Sequence, residues 1–325
     1  MRFAFTDDQL AFRDAVRDLL DRECPPAVVR DAWTNDTGRS GAAWAHLADM
    51  GVLGALASEA HGGLGLTLVD LVLVLEETGY AALPEPIVEH AAVTVPILED
   101  STAAAAGRVT VTAALDGSGL APWADTAELI VLPGETGAAV LARADVALDR
   151  RESVDGARRL FAVHPRAGPQ AVRPALGAFE RGALGAAAQL LGLNERMLDL
   201  TVAYVAERRQ FGVPVGSFQA VKHHLADARL GLEFARPLVY RAAWSLTHGD
   251  PDAAVHVSMA KAQASDAARL TGRQALQCHG AIGYSFEYDL HLYLKRAWAL
   301  AATWGDARWH RAQIGQTLGL PSGSA

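Results

Sequence analysis

Thr6 is followed three residues later by Gln9, and Leu10, Phe12, Val16, Leu19 and Leu20 then recur near helical spacing. This is the pattern of a capping box heading an amphipathic helix, because each of the two side chains satisfies a backbone donor that the first turn leaves open. Further helical patterns run from about 42 to 50 and from 66 to 78, with Gly62, Gly63 and Gly65 between them. Residues 1–102 therefore read as a helical unit. From Arg108 the texture changes: the β-type runs Val109-Thr110-Val111-Thr112 and Leu129-Ile130-Val131-Leu132 are punctuated by the turn pairs Asp116-Gly117 and Pro133-Gly134. A small strand-rich unit over 103–175 is expected. From Phe179 to Thr247, and again from Pro251 to Ile282, apolar residues return at 3.6 spacing, so residues 176–325 predict long amphipathic helices. Charges of alternating sign, Glu195 with Arg196 and Asp227 with Arg229, read as solvated faces of those helices.

Half of the 325 residues are hydrophobic and 20% are charged, which excludes a disordered chain and predicts a large, mostly helical core. A net charge of -8 without any Lys or Arg run gives no footprint for nucleic acid or an anionic membrane surface. The N-terminus enters its helix without the apolar stretch of a signal peptide, and no long uncharged apolar run follows. A cytoplasmic protein is expected. Cys24 and Cys278 can pair only with each other, and two thiols in such a chain read as buried, inert groups in a reducing compartment.

Three segments carry a resemblance. Ser58-Glu59-Ala60-His61-Gly62-Gly63-Leu64-Gly65 is a glycine-rich turn between helices. Glu207-Arg208-Arg209-Gln210-Phe211-Gly212-Val213-Pro214, continuing through Val215-Gly216-Ser217-Phe218-Gln219-Ala220-Val221-Lys222, has a helix-loop-helix signature. About seventy residues on, Gln277-Cys278-His279-Gly280-Ala281-Ile282-Gly283-Tyr284 forms a glycine-containing turn after a long helix. Together they resemble the acyl-CoA dehydrogenase family, over nearly the whole chain and most weakly from 103 to 175. The resemblance implies a mainly α fold with a small β domain: a helical N-terminal domain, a small β middle domain and a C-terminal four-helix bundle. It implies an FAD-dependent oxidoreductase that introduces an α,β double bond into an acyl-CoA thioester and passes electrons to an electron-transfer flavoprotein. In the family the arginine at the position of Arg208 reaches across a subunit interface to the flavin's diphosphate, and Phe211 lies against the same cofactor. Gln277 and the backbone of Gly280 and Ala281 correspond to groups that contact the adenosine diphosphate half of a neighbour's FAD, although the family has glycine where Ala281 stands. Bare of such a resemblance, Arg208 reads equally as a surface ion-pair residue, His279 as a core histidine and Gly280 as a helix-ending turn.

The pattern fails where the chemistry is most demanding. Proton abstraction next to the thioester needs a carboxylate base, and the two places where family members carry it hold Trp304 and Gly182 here. Neither can take a proton. Glu180 is two residues from one of them, and Asp306 two from the other; both are weak candidates, Asp306 reading better as a helix N-cap. The Thr-Glu-Pro-x-Ala-Gly-Ser run that holds the flavin ring in the family is also missing. The resemblance thus points to the short subunits of actinobacterial α2β2 enzymes of steroid side chains, with base and much of the flavin pocket supplied by a homologous dehydrogenase partner subunit. A homomeric enzyme using Glu180 or Asp306, a silent scaffold of the same fold and a redox-silent acyl-CoA enzyme remain alternatives.

Overall fold

In the computed structural model, which describes residues 4–320, helices are followed by strands and then by helices again. The capping box forms: Gln9 N donates to Thr6 Oγ1 at 3.2 Å, and Thr6 N donates to Gln9 Oε1 at 2.9 Å, opening α1 (Asp7–Glu23). α2 (Pro26–Ala32), which periodicity does not signal, begins on a proline whose missing N–H costs nothing at that place. α3 (Gly41–Asp49) and α4 (Leu68–Tyr80) follow within two residues of the sequence expectation. A buried π-helical stretch, Val88–Thr94, leads to the short α5 (Thr102–Ala105). His90, inside that stretch, accepts from Val111 N at 3.1 Å and faces the Ala104 carbonyl at 3.1 Å, stitching helix to strand. Burial pulls its imidazole down to about 4, so it stays neutral.

The middle of the chain makes two small sheets from β1 (Val111–Ala113), β2 (Leu120–Pro122), β3 (Leu129–Gly134), β4 (Gly137–Ala142), β5 (Val146–Arg151), β6 (Leu160–Pro165) and β7 (Ala171–Arg173). One has the order β1-β3-β4-β7, with β1 and β3 parallel; the other is β2-β6-β5 and antiparallel. The unbroken apolar run of β3 is explained by period-two alternation with both faces covered. Ile130 and Leu132 enter a small core with Ala121, Leu141 and Phe161, whereas Val131 points into the main helical core. β3 continues through Pro133-Gly134, so the chain reverses at Glu135-Thr136 instead of at the expected turn pair.

The bundle consists of α6 (Ala178–Glu207), α7 (Gln219–Thr247), α8 (Ala253–His279) and α9 (Leu290–Ala302), with α10 (Ala307–Thr317) packed on α8. A two-stranded hairpin, β8 (Arg209–Gln210) and β9 (Val213–Pro214), joins α6 to α7. α6 is the axis of the molecule, in contact with α4, α7, α8 and α9. Gly79 and Gly192 let the backbones of α4 and α6 touch where a side chain would collide. One hydrophobic core runs from Val16 and Leu20 of α1 through α4 and α6 to Tyr293 of α9, so the three stretches share an interior. That coverage corrects one expectation: Glu195 and Arg196 do not form a solvated face. Glu195 pairs with Arg236 and, at 3.1 Å, with Arg229, while Arg196 lies 5.1 Å from the Tyr80 ring and 5.4 Å from that of Tyr293. A helix surrounded by others must pair its charges. Asp227 and Arg229 are exposed. Among the described residues no helix is long and apolar enough to cross a membrane.

Candidate functional site

The link between α9 and α10, Thr303-Trp304-Gly305-Asp306, contains the first of the two positions at which a base is missing. Trp304 is 2% exposed and adopts φ 53°, an uncommon left-handed backbone for an aromatic residue. The turn is held by its carbonyls. Lys261, wholly buried on α8, donates to Gly305 O at 2.9 Å and Ala301 O at 3.2 Å, and His310 Nε2 meets Trp304 O at 2.8 Å. Facing a carbonyl, His310 Nε2 must carry the hydrogen, which leaves Nδ1 to accept from Ser258 Oγ at 3.1 Å. Burial pulls Lys261 down to about 7, against the pull of Asp306, and His310 down to about 4.

The turn so held aims the indole at α6, and what it meets there is Gly182. A methyl group added at Gly182 would sit 2.5 Å from Trp304 Cε2. The two positions from which a carboxylate base is absent are thus a single packed contact, a ring laid on the one residue that leaves room for it. Only about 10 Å3 of cavity remains alongside, the volume of one water molecule. It holds neither a flavin ring nor an acyl chain.

Below the indole lies a charged cluster that sequence patterning did not single out. Arg296 pairs with Asp155 and donates to Leu83 O at 2.7 Å, Arg39 pairs with Glu85 at 2.6 Å, and Arg158 stands 3.9 Å from Glu89. Burial pushes Glu85 up to about 7 despite Arg39, and raises Glu89 despite Arg158 and the Trp304 indole. The only signal of these residues in the sequence is a charge inside an otherwise apolar segment, as in Glu85-Pro86-Ile87-Val88-Glu89. That signal identifies a buried charge without naming its partner.

Glu180 faces away from Gly182, on a separate cavity of about 160 Å3 lined by Phe179, Val257, Trp309 and Gln313. Two residues along a helix turn the side chain by about 200°. Asp306 caps α10, its carboxylate accepting from Trp309 N at 2.7 Å, and is otherwise exposed. Cys24 and Cys278 are free thiols, both raised by burial, Cys24 to about 12.

The remaining candidate residues are at the surface. Arg208, Phe211, Gln277, Gly280 and Ala281 are all exposed, Phe211 by 91%. Tyr204 of α6 stacks on His279 of α8 with ring centroids 4.4 Å apart, joining the C-terminal ends of those helices. Arg208 lies one turn beyond Tyr204, and Gln277 and Gly280 flank His279. Gly280 takes φ 63° with nothing within 4 Å of where a Cβ would be, so its backbone is open to a ligand. A guanidinium without an ion pair among the described residues, an open backbone and a projecting ring can grip a diphosphate and a flat ring brought by another molecule. Exposed apolar residues continue nearby in sequence: Val213, Leu230, Phe234, Ile282, Tyr284 and Phe286.

The N-terminal domain model of acyl-CoA dehydrogenases matches residues 6–113 and the C-terminal domain model matches residues 172–319. The chain is 31% identical over 315 residues to acyl-CoA dehydrogenase IpdE2 of Mycolicibacterium smegmatis, covering 93% of this chain and 96% of that one. It therefore belongs to the acyl-CoA dehydrogenase family. To acyl-CoA dehydrogenase FadE34 of Mycobacterium tuberculosis it is 30% identical over 94% of its own length but only 47% of that protein's. A chain in the ChsE4-ChsE5 complex of Mycobacterium tuberculosis has the same fold, with a TM-score of 0.88 at 23% identity, covering 99% of this chain and 100% of that chain. Butyryl-CoA dehydrogenase of Megasphaera elsdenii superposes with a TM-score of 0.84 at 21% identity, covering 98% and 100%. The expected fold, a small β domain between helical regions ending in a bundle, is the observed one.

Proposed function

We propose that this chain is a subunit of an FAD-dependent acyl-CoA dehydrogenase, in which a homologous partner chain supplies the catalytic base and the pocket for the flavin ring. The observation that carries this reading is the contact of Trp304 with Gly182, which fills both base positions with a ring that cannot take a proton. FAD, when bound, supplies the hydride acceptor for desaturation of the thioester. The residues here fit only one half of such a cofactor. Arg208, Phe211, Gln277 and the open backbone of Gly280 suit the diphosphate half of an FAD seated mainly on the partner. The space beside Trp304 does not fit the ring, so no proton transfer is assigned to this chain. FadE34, of which this chain matches just under half, and the two-component ChsE4-ChsE5 complex support pairing with a second chain of the same kind. A steroid-type acyl-CoA as substrate is supported by a further structural relative described as a steroid acyl-CoA dehydrogenase pair, Tcur3481-Tcur3483, at a TM-score of 0.87. Electrons would pass to an electron-transfer flavoprotein.

The test is co-expression with a homologous dehydrogenase chain encoded beside it. The chain alone should be colourless and the complex yellow, with one flavin and one acyl-CoA bound per pair of chains. Arg208→Ala should lower flavin retention in the complex. Two flavins and two acyl-CoA molecules per pair would defeat the half-site picture, and a colourless, inactive complex would favour a silent scaffold.

A further inference from the structure

The stretch from the end of β5 to the start of β6 carries four arginines, Arg150, Arg151, Arg158 and Arg159, around a solvent-open cavity of about 550 Å3. Two of them are matched within the chain. Arg151 pairs with Asp149 at 2.7 Å, and Arg159 pairs with Asp125 and donates to the Asp36 carbonyl. Arg150 is exposed, and its side chain makes no ion pair or hydrogen bond among the described residues.

Arg158 is the anomaly. It is 5% exposed, its nearest carboxylate is that of Glu89 at 3.9 Å, beyond hydrogen-bond reach, and its guanidinium makes no hydrogen bond among the described residues. A buried guanidinium presents five donors, and leaving them unmatched is costly. Burial favours the neutral form of both members of this pair, lowering Arg158 and raising Glu89, and the carboxylates of Asp116 and Asp155 act on Arg158 only from beyond ion-pair distance. Asp155, also on the cavity wall, is taken by Arg296, and Glu152 is an exposed rim residue. Arg159 Nε is a buried donor with no acceptor among the described residues. Ser153 Oγ accepts from Asp155 N at 3.2 Å, which leaves its hydroxyl hydrogen free to donate into the same space. Donors therefore outnumber acceptors on a wall that opens to solvent.

The geometry points to an oxyanion site in this cavity that takes a phosphate group, with Arg158 at its buried end, Ser153 on its wall and Arg150 at its mouth. Phosphate fits better than a carboxylate because its oxygens spread tetrahedrally and accept from several guanidinium groups at once. The cavity exceeds the size of inorganic phosphate, so a phosphate ester of a larger molecule is accommodated as well as the free ion. Arg158 also lines the small cavity beside Trp304, but the phosphate site uses neither Trp304 and Gly182 nor Arg208, Phe211, Gln277 and Gly280, so either reading can fail without the other.

Calorimetric titration of the full chain, alone and in the co-purified complex, with inorganic phosphate, pyrophosphate and AMP tests this. Saturable binding with one site per chain is expected, weakened about tenfold in Arg158→Gln and several-fold in Arg150→Gln, and strengthened in Glu152→Gln. Arg150 is exposed, so R150Q keeps the test valid even if R158Q does not fold. Equal affinity for phosphate and AMP would identify a site for the free ion, and tighter AMP binding a site for a nucleotide; either supports the proposal. Absence of saturable binding by the folded wild-type chain, or wild-type affinity in R150Q, would overturn it.

Discussion

The turn between α9 and α10 and the hairpin between α6 and α7 each hold an aromatic residue in the left-handed region, Trp304 and Phe211, both at φ 53°. Such a conformation costs on the order of 1–3 kcal/mol for a non-glycine residue. At Trp304 the interior over-determines it: His310 and Lys261 hold the flanking carbonyls, and the indole is clamped on Gly182. At Phe211 only the hairpin itself does: with Gly212 at φ 81° it makes the two-residue turn between the paired Gln210 and Val213, a turn that takes positive φ at both positions. Its ring is 91% exposed, and its one aromatic neighbour among the described residues is Phe218, at 6.2 Å between centroids. The same local strain therefore has two supports, the packed interior at Trp304 and a two-residue hairpin turn at Phe211, and of the two rings only that of Phe211 is left unburied. The buried turn is closed by its own packing, whereas the hairpin turn leaves an aromatic ring projecting into solvent.

The largest effect on this contrast should come from Trp304→Ala, which removes a buried indole and should cost about 3–5 kcal/mol in urea denaturation. Gly182→Ala alone should cost about 1–3 kcal/mol through overpacking. In the double variant the methyl group enters the space the ring has left, so the two losses should fall short of additive by about 1 kcal/mol or more. Additive losses would mean that the ring and the glycine are not one contact.

A pH series sharpens the buried side further. Lys261 titrates near 7 in the folded chain against its ordinary value of 10.5, so the unfolded chain binds the extra proton between those limits. Its burial penalty is complete below pH 7 and is relieved as the pH rises towards 10.5, adding stability at up to about 1.4 kcal/mol per pH unit. His310, lowered from 6.5 to about 4, acts in a separate window. Its contribution is present above 6.5 and is lost as pH falls towards 4. Lys261→Met should flatten the alkaline rise and His310→Gln the acid fall; an unchanged profile in either variant would show that the latch is not held by those groups.

Smaller effects are expected at the two weak base candidates. Asp306→Ala should lower stability by about 1 kcal/mol through loss of the α10 cap. Asp306→Asn and Glu180→Gln should leave turnover of the complex within a few-fold, whereas loss of a general base removes about a hundredfold or more. A hundredfold fall for Glu180→Gln with the fold intact would return the base to this chain. The smallest change in the chain's own stability belongs to Phe211→Gly, within about 1 kcal/mol and towards stabilisation, because glycine accepts the backbone that phenylalanine resists. Co-purification with the partner should nevertheless weaken. A stable chain that assembles as well as wild type would remove the reason given for the exposed ring.

How much of this could be read from the chain varies with the reach of the interaction. The Thr6–Gln9 box, α4 between its glycines and tyrosine, and the cap at Asp306 depend on residues a few positions apart, and local patterning reports them faithfully. The Pro133-Gly134 pair misled because strand pairing with β4 carries β3 past it. Glu195 and Arg196 misled because alternation of charge shows that a face is polar, but not that three other helices cover it.

What the sequence determined by itself is the succession of elements and the absence of a carboxylate at positions 182 and 304, since both follow from residue type and spacing. What only the tertiary structure decided is that those two absences are one contact, that Glu180 opens on another cavity, and that Arg158 is buried without a matched acceptor. Positions 182 and 304 lie more than a hundred residues apart. Their meeting depends on the packing of α6 against α9 and α10, and no local propensity carries that information.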